Sequence, residues 1–292
     1  MTLPRQELLV GAHVSIAGGI EKAIARGEEI GATAIQVFTR NASRWQARPL
    51  STDAVAAFRA ARKDSKIAYV AAHDSYLINL ASPDPELRDK SIAAFADELE
   101  RCALLGITDL VMHPGAHMGQ GTAAGLSTLV ESFQRIFSAA PAEVRVLVEN
   151  TAGQGTSLGA RFEELASILE RLPQGNLAIC LDTCHAFAAG YDLSSVEGYA
   201  AMMAEFERLI GVEQLALFHL NDSKKPLGSR VDRHEHVGRG LIGPAGFAAL
   251  MQDERFAGVA KIIETPSGDA HCDDLANLAL LRQLAEGKAR RS

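Results

Sequence analysis

Short apolar runs rich in β-branched residues recur along the chain, and the longer segments between them repeat their apolar residues at helical spacing. The runs are LLVGAHV (8–14), AIQVFT (34–39), AYVAAH (68–73), DLVMHPG (109–115), RVLVENT (145–151), LAICLDT (177–183), LALFHLND (215–222) and KIIET (261–265). Segments such as AFADELERCALLG (94–106) and RFEELASILERL (161–172) carry the helical period, and Gly106 and Gly211 stand where helix C-caps are expected. Alternating strands and helices predict βαβ units and a parallel sheet. Eight such units with no linker or compositional break predict an α/β fold, a closed (β/α)8 TIM barrel making a single domain of residues 1–292. A doubly wound open sheet is the alternative. The final EGKARRS (286–292) is expected to fray.

Six of the runs end on a residue type that metals favour: His73, His113, Glu149, Asp182, His219 and Glu264. One polar strand end is most simply a satisfied core group. Six at corresponding positions need another explanation, because in a barrel those ends converge on the face where active sites are built. His185 follows three residues after Asp182, and Asp232 and His234 lie in the long segment after the seventh run. Imidazole and carboxylate donors without thiolate suit Zn2+, Mn2+ or Fe2+. Nine donors exceed the roughly three protein ligands of one catalytic ion. Two or three ions are therefore expected, with Glu149 or Glu264 able to bridge through its two oxygens. Several ions around one water suit hydrolysis or phosphoryl transfer.

Composition narrows the class. A chain of 292 residues that is 47% hydrophobic and 22% charged can bury a substantial globular core. No apolar run approaches the ~18 residues of a membrane span and no leader-like segment opens the chain, so a cytoplasmic location is expected. The four cysteines, Cys102, Cys180, Cys184 and Cys272, form no C-x-x-C pair, and Cys180 reads as a small packed hydrophobe. A net charge of −7 argues against a basic protein that wraps nucleic acid. Residues 219–243 run against that balance: Lys224, Lys225, Arg230, Arg233 and Arg239 outnumber Asp222, Asp232 and Glu235.

Three long segments stand in order, HDSYLINLAS (73–82), CLDTCH (180–185) and HLNDSK…GSRVDRH (219–234), with GAHVSIAGG (11–19), HPGAH (113–117) and ENTAGQG (149–155) beside them. Over nearly its full length the chain resembles the endonuclease IV family of abasic-site endonucleases (AP endonuclease family 2). The resemblance implies a barrel holding three Zn2+, with Mn2+ an alternative at one or more positions. One ion would take His73, His113 and the bridging Glu149, the second Glu149, Asp182, His219 and Glu264, and the third His185, Asp232 and His234. It also implies hydrolysis of duplex DNA 5′ to an abasic site by metal-activated hydroxide, leaving a 3′-hydroxyl and a 5′-deoxyribose phosphate, with Glu149 as the catalytic residue. The target nucleotide would be flipped from a bent duplex.

By the same resemblance Arg40, Arg44, Trp45 and Arg48 would meet the DNA from TRNASRWQARPL (39–50), Tyr76 and Leu77 would form a wedge, and Lys224 and Arg233 would contribute from the basic loop. Ser43 departs from the family, which often has a basic residue there. Either Arg44 substitutes from one position along or the wedge is weaker. His13 and His117 are expected to orient ligands rather than bind ions, and His236 and His271 to lie at the surface. A monomer is expected. Two other readings stay open, a metal-dependent sugar isomerase or epimerase on a similar barrel and a non-catalytic damage-binding protein, since a fold alone does not choose among chemistries.

Overall fold

In the computed structural model, which describes residues 8–138, 143–173, 176–266 and 272–287, the apolar runs are parallel strands. They are β1 (Val10–His13), β2 (Ala34–Phe38), β3 (Tyr69–His73), β4 (Asp109–Met112), β5 (Arg145–Glu149), β6 (Leu177–Asp182), β7 (Leu215–His219) and, as the eighth of the barrel, β10 (Ala260–Ile263). They close in the order β1-β10-β7-β6-β5-β4-β3-β2. The predicted barrel is present. Two short strands, β8 (Asp222–Ser223) and β9 (His234–Glu235), pair antiparallel outside it, in a stretch that carries no strand signal of its own beyond Asp222.

Helices α1 (Lys22–Glu29), α2 (Thr52–Lys63), α3 (Pro85–Leu105), α4 (Thr122–Phe137), α5 (Phe162–Arg171), α6 (Thr183–Ala189), α7 (Val196–Leu209), α8 (Gly243–Met251) and α9 (Cys272–Ala285) complete the chain. Local chemistry sets their ends. Asp84 caps α3 by accepting from the Glu86 N–H, Pro85 occupies the first turn where no partner is needed for its nitrogen, and Gly106 stops the helix at φ 71°. Phe58, Phe95, Phe133, Phe162, Phe206, Phe218, Phe247 and Phe256 are buried in the core, and each such side chain contributes about 1.5–3 kcal/mol on leaving water. Glu286 and Gly287 close a turn after α9. The rest of the basic tail and His271 lie outside the described residues.

Strand alternation positions the site. Residues two apart on a strand face the same side. Ala34, Ala71, Val111, Leu147, Cys180, Leu217 and Ile262 form one buried apolar cluster. Two positions further along the same chains come Gln36, His73, His113, Glu149, Asp182, His219 and Glu264. A dry hydrocarbon floor thus lies one layer beneath a polar one. On β1 the floor position is Gly11, where a Cβ would sit 1.6 Å from the Ala34 carbonyl oxygen, and His13 follows two residues later.

Candidate metal centre

All nine donors come together at the C-terminal mouth of the barrel. They fall into three groups whose donor atoms lie within 4.8 Å of one another: His73, His113 and Glu149; Glu149, Asp182, His219 and Glu264; His185, Asp232 and His234. Glu149 belongs to two of them. Its Oε2 lies 3.2 Å from both His73 Nε2 and His113 Nε2, while its Oε1 lies 3.0 Å from His219 Nδ1 and 3.2 Å from His185 Nδ1. The third group is tied by His185 Nε2 to Asp232 Oδ2 at 3.4 Å and His234 Nε2 to Asp232 Oδ1 at 3.1 Å.

Asp182 explains how two residues three apart reach one place. Its Oδ1 accepts from the His185 backbone N–H at 2.7 Å, which makes it the N-cap of α6 and puts His185 on the first turn directly above the strand end. The ribbon does the corresponding work for the third group, because β9 opens at His234 and brings Asp232 back over the mouth.

The electrostatics follow from packing acids and bases out of water. Burial alone would raise Glu149, but His219, His113 and His185 overcome it and hold the carboxylate well below its usual range. Glu264 is held down in the same way, chiefly by His219 and His13 against the effect of burial. Burial would lower His185, yet Asp182, Asp232 and Glu149 raise it well above an ordinary imidazole. His234 is raised to about 9, burial being outweighed by Asp232 and Asp182.

The donor set fits metal ions on a further count. His234 Nε2 is buried and, although 3.1 Å from Asp232 Oδ1 and 3.8 Å from Asp182 Oδ2, makes no well-aligned hydrogen bond, an arrangement that suits a lone pair shared with a cation. Its other nitrogen faces the Glu264 carbonyl oxygen at 3.1 Å. His73 Nδ1 and His185 Nδ1 likewise face the carbonyl oxygens of Asp74 at 3.0 Å and Asn150 at 2.9 Å. Such contacts fix an imidazole so that the opposite nitrogen presents a lone pair. Two further donor groups include Cys180 or Cys184, but burial pushes both thiols up, Cys184 to about 12, and Cys180 belongs to the apolar floor.

Several orienting residues have no counterpart in the ligand set expected from sequence. Asn221 donates to Asp182 Oδ2 at 2.6 Å and accepts from the Glu264 backbone N–H at 2.7 Å. Asn150 accepts from the Asp182 backbone N–H at 2.7 Å. Gln36, wholly buried, contacts His13, His219 and Glu264. The signal for Gln36 was present as the lone polar residue in an apolar strand. His13 stands beside Glu264 at 3.3 Å, where an orienting role expects it. His117 instead accepts from the Gly119 and Gly121 N–H groups and shapes its own loop, and His236 is half-buried against Asn277.

The residues expected at DNA divide. Tyr76 is 70% exposed and, with His13, Phe38, His73 and His113, lines a cavity of about 260 Å3 over the donors. Leu77 beside it is half-buried, and Arg44, Arg48, Lys224 and Arg233 are exposed. Arg40 stands apart from these exposed cations: its guanidinium is buried, bonded to Glu98 Oε1 at 2.6 Å, and donates to the carbonyl oxygens of Arg44 and Trp45, so it holds the loop from beneath, with its second terminal nitrogen buried and unpartnered. Trp45 is half-buried, with the Lys90 ammonium 4.3 Å above its ring.

Comparison with known proteins places this arrangement. A family model for the AP endonuclease 2 group, described as Xylose isomerase-like TIM barrel, matches residues 24–286. A Chloroflexus aurantiacus protein named "Probable endonuclease 4" is 52% identical over 279 residues, covering 95% of this chain and 98% of its own. The endonuclease IV structure from Thermus thermophilus is 38% identical and superposes with a TM-score of 0.84 over 97% of this chain and 100% of that one. A D-tagatose 3-epimerase-like protein shares the barrel at a TM-score of 0.74 but only 18% identity, a likeness of fold alone.

Proposed function

We propose, from the premise that this chain belongs to the endonuclease IV family, that it is a DNA-repair endonuclease cutting duplex DNA on the 5′ side of abasic sites. It would leave a 3′-hydroxyl and a 5′-deoxyribose phosphate, with three zinc ions held by the three donor groups. The observation that carries this is the meeting of nine imidazole and carboxylate side chains in three groups joined through Glu149. Bound there, such ions supply an activated water near neutral pH and charge stabilisation for the departing oxygen.

The protein's own residues do the positioning. Glu149 spans two groups with its two oxygens and, being wholly buried, keeps them at a constant separation. Asp182 orders the strand end and the α6 turn together. A cavity of about 260 Å3 opens over the donors, lined by His13, Phe38, His73, Tyr76 and His113. An unpaired site loses little stacking on leaving the helix. Tyr76 stands exposed at the rim, where a ring can press against the gap left in the duplex.

The test is a defined duplex with one abasic site, incubated with purified protein with and without a chelator, reading both ends of the cut. Metal-dependent incision 5′ to the site is expected, together with close to three zinc ions per chain by elemental analysis. Glu149→Gln should lower cleavage by about 100-fold or more, several kcal/mol of transition-state stabilisation, while DNA binding persists. Chelator-resistant cutting, or a Glu149→Gln protein near the parental rate, would rule out this assignment.

A further inference from the structure

We propose that Gln36 is a positioning residue of the metal centre, its amide deciding which nitrogen of His219 and which oxygen of Glu264 are turned toward an ion. The inference rests on the reading of the nine donors as a metal site.

Four of the five imidazoles present Nε2 to the centre: His73 and His113 toward Glu149, His185 and His234 toward Asp232. His219 differs: its Nδ1 lies 3.0 Å from Glu149 Oε1 and 3.3 Å from Glu264 Oε2, whereas the His185 Nδ1, 3.2 Å from the same Glu149 oxygen, is also engaged by the Asn150 carbonyl oxygen at 2.9 Å. His73, His185 and His234 have main-chain carbonyls to receive the hydrogen on their other nitrogen. For His219 that nitrogen points across the barrel to β2, where the acceptor is a side chain, Gln36 Oε1 at 2.8 Å.

The amide can stand only one way round. One of its two polar atoms lies 2.7 Å from Glu264 Oε1. A carboxylate oxygen accepts and does not donate, so that atom must be the NH2. The other is then a carbonyl oxygen, which requires a hydrogen on His219 Nε2 and leaves the lone pair on Nδ1. The second amide hydrogen faces His13 Nδ1 at 3.0 Å, so one side chain ties three neighbours. Gln36 is wholly buried, so its own end of these bonds is shielded from solvent.

The experiment uses the full zinc-loaded chain with 15N-labelled histidine. Long-range imidazole correlations are expected to show one zinc-bound ring metallated at Nδ1 and protonated at Nε2, and the others the reverse. Gln36→Met, which keeps the bulk and removes both bonds, should release one ion to a chromophoric chelator about 10- to 100-fold faster than the parent while the others leave at the parental rate. Its kcat on abasic duplex should fall by about the same factor with KM little changed. All rings metallated through Nε2 would overturn the proposal, and that measurement needs no variant to fold. Parental zinc release from a folded Gln36→Met would overturn it as well. A chain that binds no zinc would sink both readings, whereas zinc bound as described without incision of abasic DNA would leave Gln36 its role and remove only the activity.

Discussion

Arg40 and Tyr76 show how little a residue's type says about its job. Arg40, Arg44 and Arg48 are spaced four apart with no acid near them in sequence. The partner that captures the first is Glu98 on α3, which also accepts from Thr39. Removing one member of a buried ion pair strands the other, at a cost of roughly 3–5 kcal/mol. Glu98→Ala is therefore expected to lower unfolding free energy by about that much, and to loosen the loop that carries Arg44 and Trp45. Tyr76→Ala should do the opposite: an exposed ring leaves stability within about 0.5 kcal/mol, while KM for abasic duplex rises. Denaturant unfolding and steady-state kinetics on both variants separate the two roles, and equal destabilisation by both would refute the distinction. The six candidate donors at strand ends were readable because their types are rare there. Arg40, Asn150 and Asn221 were not, because an arginine or an amide takes its meaning from partners that the fold supplies.

Elements were legible where a pattern recurs and obscure where a single contact organises them. The strands are legible in AIQVF, YVAAH and LALFH as near-continuous apolar runs, because a barrel strand covered by helices is buried on both faces. The β8–β9 ribbon has no such pattern. It is held by Asp222, whose carboxylate accepts from the backbone N–H groups of Ser223 at 2.8 Å, Gly240 at 3.0 Å, Ile242 at 2.9 Å and Gly243 at 3.3 Å. Gly240 is close enough that a Cβ there would meet the Asp222 carboxylate at 2.5 Å. Asp222→Ala leaves several amides without an acceptor, at about 1–3 kcal/mol for each one that stays buried. Since the ribbon carries His234 and places Asp232, the expected result is faster hydrogen exchange across residues 224–243 and loss of the ion in the third group before the others. Uniform loss of all ions, or unchanged exchange, would argue that the ribbon does not set that group.

At the scale of the whole molecule the difficulty is charge, since a protein of net −7 must bind a polyanion at a mouth lined by Glu149, Asp182, Asp232 and Glu264. On the proposed three-ion reading, the dications outweigh the four carboxylates and leave the mouth positive. Without them the imidazoles raised by their carboxylate neighbours, His73, His185, His219 and His234, at most offset the four carboxylates, and the surplus positive charge is lost. Metal removal is thus expected to weaken DNA binding as well as abolish cutting. The proposed DNA contacts that remain are the exposed cations Arg44, Arg48, Arg233 and Lys224, the last partly engaged by Glu235 at 3.8 Å. Each phosphate neutralised adds about 0.9 to the slope of log affinity against log salt. Four contacts predict a slope near −3.6 for the metal-loaded protein, and replacing Arg44 and Arg48 by alanine should reduce its magnitude by about 1.8. Arg40→Met should leave the slope where it was, because a guanidinium already bonded to Glu98 displaces no counterion from DNA. Fluorescence anisotropy across a salt series on an abasic duplex measures all three. A slope that falls with Arg40 and not with Arg44 and Arg48 would place the DNA on a different surface from the one the barrel mouth presents.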